Sequence, residues 1–148
     1  MAAAGLFEET DNEYRGLDIL VNAGGVLNES KDGWRNMINT NVKGMIDCTN
    51  VGMELMNRRH RPGVIINFSS IFAIRPIPQL PLFSGTHAAV LGALLGFNKM
   101  ENNDVRLLTV CMGPTDTTML YNLSETDVGE WAKDNLLNLT DALKIRLK

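Results

Sequence analysis

The stretch Val64-Ile65-Ile66-Asn67-Phe68-Ser69-Ser70 decides the fold of this chain. Pro62-Gly63 precedes a short run of branched and apolar residues, and two serines end it, which is typical of a buried β-strand bounded by turns. Strands of this kind belong to parallel sheets, because the helices that connect parallel strands cover them from water. The stretch therefore predicts one strand of an α/β protein, leading into Ser69 and Ser70.

Two more apolar runs have the length of a strand. Leu17-Asp18-Ile19-Leu20-Val21 is followed by Asn22-Ala23-Gly24-Gly25, and this run predicts a strand buried on both faces. The other run extends from Val105 to Cys111 and is closed by Gly113-Pro114. The chain therefore contains three candidate strands.

Helical patterns lie between these runs. Apolar residues recur every three or four positions from Trp34 to Met56, and residues 84–100 are mostly small and apolar. Pro76, Pro78 and Pro81 predict a loop before the second helix, because proline sustains neither a helix interior nor a central strand. Two strand–helix–strand units in a row predict parallel strands with right-handed connections.

The composition restricts the possible partners and locations. The net charge is −3, and the one dense basic stretch, Arg58 to Arg61, is too short to follow a nucleic-acid backbone, so we expect no nucleic-acid partner. No secretory signal and no run of transmembrane length is found, which predicts a cytoplasmic protein without a membrane partner. Cys48 and Cys111 have neither metal-ligand nor redox spacing, so we expect free thiols and no metal site.

Five patches resemble motifs of the short-chain dehydrogenase/reductase family, in the family's order and spacing. Leu17–Gly25 resembles the family's Leu-Asp-Ile-Leu-Val-Asn-Asn-Ala-Gly, and Ile38–Gly44 resembles Ile-Asn-Val-Asn-x-x-Gly. Val64–Ser70 is similar to the strand that ends in the catalytic serine. Pro81–Val90 resembles Pro-Val-Tyr-Ser-Gly-Thr-Lys-Ala-Ala-Val. This form of the motif is closest to that of insect alcohol dehydrogenases and prostaglandin dehydrogenases. Cys111–Thr117 resembles Cys-Pro-Gly-x-Thr-Asp-Thr.

The resemblance implies the fold and the domain organisation. The implied fold class is α/β, a partial Rossmann-like doubly wound parallel sheet that retains about three strands and has helices on both faces. We expect residues 1–148 to form a single, N-terminally truncated domain, with the family match over about 17–118. Residues 119–148 would be the remnant of the substrate lid and C-terminal helix. Leu17 to Val21 would then form an unpaired apolar edge strand.

The resemblance also assigns roles to four residues. Ser70 corresponds to the serine that orients the substrate oxygen, and Asn41 to the asparagine that holds a water in the proton relay. Phe83 follows Ser70 by thirteen positions, the family's interval between serine and catalytic tyrosine, so Phe83 takes the tyrosine position and His87 the lysine position. Phenylalanine has no proton to exchange, and a mostly neutral imidazole lacks the fixed charge and reach of lysine.

Two interpretations of the substituted pair follow. The favoured one is that Phe83 and His87, one helical turn apart, pack against each other in place of the ancestral pair. The other is that Tyr121 enters from the lid segment and replaces the missing hydroxyl, which requires hydrogen-bond reach of about 3 Å.

The implied cofactor is NAD or NADP. The chain contains no Thr-Gly-x-x-x-Gly-x-Gly turn, whose backbone amides bind the diphosphate at a helix N-terminus in the family, so we expect most cofactor affinity to be lost. The residues implied to contact the cofactor are Asn22, Ala23 and Gly24 beside the adenosine half and Gly113, Pro114, Thr115 and Thr117 beside the nicotinamide.

Three functions remain open from the sequence. The first is an oxidoreductase that acts on a small-molecule alcohol or ketone. The second is a non-catalytic protein that forms a homodimer or heterodimer through helices 34–56 and 84–100. The third is a degraded gene product. The substitutions favour a family member in which the ancestral NAD(P)-dependent oxidation of a secondary alcohol to a ketone is impaired.

Overall fold

The computed structural model describes residues 2–58, 60, 62–99, 104–115, 117–121, 128 and 134. Helices and strands alternate along the chain, as the apolar pattern predicts. In order, the elements are α1 (Ala2–Tyr14), β1 (Ile19–Asn22), α2 (Gly33–Met37), a π-helical segment (Ile38–Gly44), α3 (Met45–Arg58), β2 (Gly63–Ser70), a 3₁₀ turn (Ile71–Ala73), α4 (Pro81–Phe97), β3 (Val105–Met112) and α5 (Thr118–Tyr121).

The three described strands form one parallel sheet in the order β1-β2-β3. Strand β2, which contains Val64–Ser70, is central. Val21 pairs with Ile66, which pairs in turn with Leu108, and Ser70 pairs with Met112. The predicted α/β fold class with three parallel strands is confirmed, and β1 is an edge strand among the described residues.

The two faces of the sheet differ in how far helices cover them. Leu20 and Ile65 on one face are buried in the core, whereas Ile19 and Val21 on the other face are 62% and 51% exposed. The prediction that the first strand is buried on both faces is therefore wrong. The reason is that side chains of α3 and α4 pack on the face that carries Leu20, while no described element covers the opposite face.

The covered face carries a core rich in methionine. Met45, Met53 and Met56 of α3 pack against Ile65, and Val90 and Leu94 of α4 complete the cluster. Close approach of α3 to the sheet depends on Gly52, because a Cβ atom there would lie 2.6 Å from Leu20 Cδ2. This packing fixes α3 and α4 on the sheet and so fixes the residues that α4 presents at its N-terminal end.

The helix predicted from Trp34 to Met56 has the expected extent but is not regular throughout. Residues Ile38–Gly44 form a π-helical segment between α2 and α3. Insertions of this type widen a helix locally and are frequent at functional sites. The apolar spacing gave no sign of it, because residues on both sides keep a helical pattern.

Helix α4 begins earlier and ends earlier than predicted. Pro81 was expected in the loop but occupies the first turn of the helix, where an amide hydrogen is not required. The helix ends at Phe97 rather than near residue 100, and Asn98 Nδ2 donates to the backbone oxygen of Leu107 at 3.2 Å.

Membrane-spanning helices and metal-ligand clusters are both absent from the described residues. No described helix combines the length and apolar character that crossing a membrane requires. Among the same residues, no cluster of three or more His, Cys, Asp and Glu side chains could hold a metal ion.

Candidate functional site

A cleft of about 370 Å³ lies where the three strands end. This is the position at which open α/β sheets bind ligands, because the loops after the strands diverge there. The wall is mainly apolar and consists of Ala23, Gly24, Gly25, Leu27, Phe68, Ser69, Ser70, Phe72, Leu80, Phe83, His87, Met112, Gly113, Pro114, Thr115, Thr117 and Met119.

Ser70 is the serine that can serve a ligand in the cleft. Its Oγ accepts a hydrogen bond from the backbone amide of Phe72 at 3.1 Å, which leaves the hydroxyl hydrogen available for donation. The neighbouring Ser69 differs, since its Oγ donates to the backbone oxygen of His87 at 3.4 Å. The geometry therefore favours Ser70 over Ser69, as does the thirteen-residue interval between Ser70 and Phe83.

Phe83 and His87 lie together in the wall, on adjacent turns of α4. Their ring centroids are 4.3 Å apart and their planes are tilted by 60°. Both side chains are buried, with 8% and 7% of their surface exposed. The packing of one ring against the other agrees with the favoured interpretation of this pair.

The His87 ring is uncharged at neutral pH. Burial lowers its pKa from 6.5 to about 4, because an apolar environment disfavours the imidazolium form. Its Nδ1 atom is buried and has no hydrogen-bond partner among the described residues. A lysine at this position would present a fixed positive charge, and His87 presents none.

Asn41 does not line the cleft. Its side chain lies in the π-helical segment, is fully buried, and pairs with both backbone polar groups of Val26 at 2.8 Å. Its Nδ2 also donates to Thr86 Oγ1 at 3.4 Å. The side chain therefore joins the loop after β1 to the long helix and to α4, and its role in a proton relay stays a prediction.

The residues predicted to contact a cofactor divide into two groups. Asn22 is not among the residues of the cleft wall, and its buried Nδ2 donates to Asn67 Oδ1 at 2.8 Å and to Thr49 Oγ1 at 3.3 Å. The other six lie in the wall: Ala23, Gly24, Gly113, Pro114, Thr115 and Thr117. Tyr121, the alternative hydroxyl, has a side chain outside the described part of the structure.

Glu29 lies outside the cleft wall but holds the helix that carries Phe83, a contact that the sequence did not reveal. Its carboxylate accepts hydrogen bonds from the backbone amides of Leu82 at 3.1 Å and Phe83 at 2.7 Å. These amides lie in the first turn of α4, where a negative charge is favourable. Glu29 thus ties the loop after β1 to the helix that carries Phe83. No local motif signals this contact, since more than fifty residues separate the partners.

Several apolar wall residues were also missed. Leu27, Phe72, Leu80 and Met119 come from four different loops and helices, and only the folded chain brings them together. A sequence pattern identifies residues within one element, so contacts of this kind carry no local signal.

A family model described as short chain dehydrogenase matches residues 2–128. The chain belongs to this family. The match includes all five patches that carry the resemblance, and the α/β sheet is therefore the Rossmann-like sheet of short-chain dehydrogenases.

Curated relatives are similar over most of this chain. The 15-hydroxyprostaglandin dehydrogenase [NAD(+)] of Rattus norvegicus is 30% identical over 96% of this chain and 53% of its own length. Alcohol dehydrogenase 1 of Ceratitis cosyra is 29% identical over 80% of this chain and 47% of its own length. The chain thus spans about half the length of the curated relatives it matches.

Solved structures agree with the fold. The ligand-free aldohexose dehydrogenase of Thermoplasma acidophilum superimposes with a TM-score of 0.75 at 22% identity, over 90% of this chain and 55% of that one. Serine dehydrogenase from Escherichia coli gives a TM-score of 0.68 at 28% identity, over 76% of this chain and 55% of that one.

The described residues of this short-chain dehydrogenase do not fit a whole dinucleotide. A diphosphate requires cationic side chains or a row of backbone amides at a helix N-terminus. No Lys or Arg is among the described residues of the cleft wall, His87 is neutral, and the 148 residues contain no glycine-rich turn of the family type. The described wall residues can contact an uncharged ring, and none of them carries a cationic side chain that would pair with a phosphate.

Proposed function

We propose that this chain is a catalytically impaired short-chain dehydrogenase, whose ancestral reaction is the NAD(P)-dependent oxidation of a secondary alcohol to a ketone. The names of the relatives, a hydroxyprostaglandin dehydrogenase and an alcohol dehydrogenase, support this substrate class. The observation that carries the impairment is the pair Phe83 and His87, whose uncharged rings pack together in the cleft wall.

Acid–base catalysis is the first step that the pair removes. Oxidation of an alcohol requires a group that takes the hydroxyl proton, and a positioned acid or base contributes about 10²- to 10⁴-fold. Phe83 has no exchangeable proton. His87 has a pKa of about 4, so it is a weak base and is almost never protonated at pH 7.

Cofactor binding is the second step that is weakened. Hydride transfer requires a nicotinamide held against the substrate, and its diphosphate finds no described partner in the cleft wall. Ser70 remains able to donate to a substrate oxygen, but orientation alone does not provide a hydride acceptor.

Calorimetric titration of the purified 148-residue chain with NAD and NADH tests this proposal. We expect no detectable binding, because the described residues supply no cationic group for the diphosphate. We expect the same result for the double variant Phe83→Tyr and His87→Lys, which restores the proton-transfer groups but not a diphosphate site. The rat relative, titrated in parallel, is the positive control. Saturation of either form at micromolar cofactor would reject the proposal.

A second candidate function is that of an interaction protein, and one observation on α4 favours it. The helix contains no charged residue from Pro81 to Phe97, yet Leu82 and Leu95 are 42% and 56% exposed. An uncharged exposed helix face can pack on another helix. We propose that residues 34–56 and 84–100 can form a homodimer, or a heterodimer with a longer family member.

Sedimentation velocity distinguishes this candidate. Leu95→Lys is expected to convert a dimer into a monomer, while Ile74→Lys, which changes a side chain that is 61% exposed outside α4, leaves it intact. A wild-type chain that remains a monomer at all concentrations removes the homodimer, and failure to co-purify with a full-length relative removes the heterodimer.

The location of the protein is likewise proposed as cytoplasmic. Cys48 and Cys111 are free thiols, which suits a reducing compartment. Recovery of the protein in an organelle lumen on cell fractionation would contradict this.

A further inference from the structure

The loop between β1 and α2 forms one side of the cleft. Its residue Leu27 lines the cleft and packs against a buried cluster that includes Leu80 and Phe83, at the N-terminal end of α4. Movement of this loop away from α4 would therefore remove part of the cleft wall.

One point of the loop is held from inside the protein. The backbone amide of Val26 donates to Asn41 Oδ1, and its backbone oxygen accepts from Asn41 Nδ2, both at 2.8 Å. Asn41 is fully buried, so release of Val26 would leave Asn41 Oδ1 without this bond in the interior, which is unfavourable. Val26 is therefore a fixed point of the loop.

The tip of the loop is held nearer to the surface. The half-buried Glu29 carboxylate accepts from the backbone amides of Leu82 at 3.1 Å and Phe83 at 2.7 Å. Both amides belong to the first turn of α4, where the helix itself provides no acceptor. Water can reach these groups once the tip moves, so the contact at Glu29 is easier to break than the one at Val26.

The segment next to Glu29 has hydrogen bonds of its own. Asn28 Oδ1 accepts from the backbone amide of Ser30 at 2.9 Å, and Ser30 Oγ accepts from that of Gly33 at 3.1 Å. The backbone amide of Asn28 instead donates to Met37 Sδ in α2 at 3.3 Å, and a thioether sulfur is a weak acceptor. The segment can thus separate from α4 and from Met37 while its internal bonds stay intact.

We propose that residues 27–32 form a flap over the cleft, which turns about Val26 and is closed by the contact of Glu29 with α4. In the open state Leu27 leaves the cleft wall, and the cleft widens on that side. Local openings of this kind cost less free energy than global unfolding. The flap consists of the chain's own residues and is independent of whether a cofactor binds.

Hydrogen exchange of single amides, followed by NMR on the unaltered 148-residue chain, tests the flap. The amides of Leu82, Phe83 and Asn28 should have protection factors within about threefold of one another, because one opening exposes all three. Val26 and Val64, whose amide is hydrogen-bonded in the sheet, should be protected at least about tenfold more strongly. A Val26 amide that exchanges as readily as that of Asn28 would overturn the proposal.

A matched pair of variants tests the role of the carboxylate. Glu29→Gln removes the charge and one of the two acceptor oxygens. We expect the two α4 amides and the Asn28 amide to exchange about tenfold faster or more, the factor that corresponds to one charge-assisted hydrogen bond. Asp32→Asn removes a charge from the same loop, at a side chain that is 90% exposed, and should leave these rates unchanged.

The Asn28 amide separates a flap from a simple helix cap, because its acceptor is Met37 and not Glu29. Acceleration of the α4 amides alone in Glu29→Gln would show that the carboxylate only caps the helix, and would refute the flap. Equal acceleration of Val26 and Val64 would show global destabilisation and would also refute it. These measurements use no nucleotide, so their outcome is independent of the calorimetric test of cofactor binding.

Discussion

At the scale of single residues, His87 determines much of the behaviour of the cleft. Its burial lowers the pKa to about 4, and its Nδ1 has no described partner. The burial that keeps the His87 ring uncharged therefore also makes the folded protein sensitive to acid.

The first prediction concerns stability against pH. The unfolded chain takes up a proton at His87 near pH 6.5, whereas the folded chain does so only near pH 4. The contribution of neutral His87 is therefore fully present above pH 6.5 and is lost as the pH falls towards 4, by up to about 3 kcal/mol. Urea unfolding of wild type and His87→Gln across this range measures it.

The control for this prediction is the exposed histidine. His60→Gln should retain the wild-type slope, while His87→Gln should have a shallower one. Identical slopes in wild type and His87→Gln would show that the buried imidazole is not responsible.

A second prediction belongs to Asn41. Asn41→Ala removes both hydrogen bonds to the backbone of the half-buried Val26, and polar groups that burial leaves unpaired cost up to about 1–3 kcal/mol each. We expect the free energy of unfolding to fall by about 2–4 kcal/mol. Asn39→Ala, an exposed position in the same segment, should change it by less than about 0.5 kcal/mol. Equal effects of the two substitutions in thermal unfolding would contradict this role.

At the scale of elements, the packing of α3 on the sheet sets the position of the site. Gly52 allows this approach, since a Cβ atom would lie 2.6 Å from Leu20 Cδ2 and 3.3 Å from Ile65 Cδ1. A Cβ atom at Gly92 in α4 would instead have no atom of another element within 4 Å. The two helical glycines therefore serve different purposes.

The third prediction compares these glycines. Gly92→Ala should stabilise the protein by about 0.5–1 kcal/mol, because alanine has the better helix propensity. Gly52→Ala should instead destabilise it, by about 1–3 kcal/mol through overpacking. Chemical denaturation of both variants measures the two changes in the free energy of unfolding. Stabilisation by both substitutions would show that α3 does not need a glycine at position 52.

The sequence predicts these elements to different degrees. The apolar runs alone predict the three strands and their parallel arrangement. The motif-like patches predict that Ser70, Phe83 and His87 belong to one site, and all three line the cleft. The exposure of Ile19 and Val21 could not be predicted, since the apolar character of a strand does not reveal which face is covered. The contacts of Glu29 with α4 and of Asn41 with Val26 join distant segments, so no local spacing encodes them.

At the scale of the whole molecule, the sheet face that no described element covers is the surface most prone to association. Val21 on β1 and Leu108 on β3 are 51% and 52% exposed, and β1 is an edge strand among the described residues. An apolar edge of this kind can pair with another chain.

The fourth prediction follows from this edge. Val21→Lys should reduce concentration-dependent light scattering, because a charged side chain at an edge disfavours strand pairing. Leu6→Lys, on α1 and 60% exposed, is the matched control and should have a smaller effect. If both lysines act alike, general surface charge and not the strand edge governs association.

The central claim is that a chain with a phenylalanine at the proton-transfer position and no described diphosphate site does not oxidise alcohols. Incubation of the purified 148-residue chain with NAD and a secondary alcohol, followed by nicotinamide absorbance, tests it most directly. The account predicts no absorbance change above the buffer control. Steady turnover that co-elutes with the chain and disappears in the Ser70→Ala variant would contradict it.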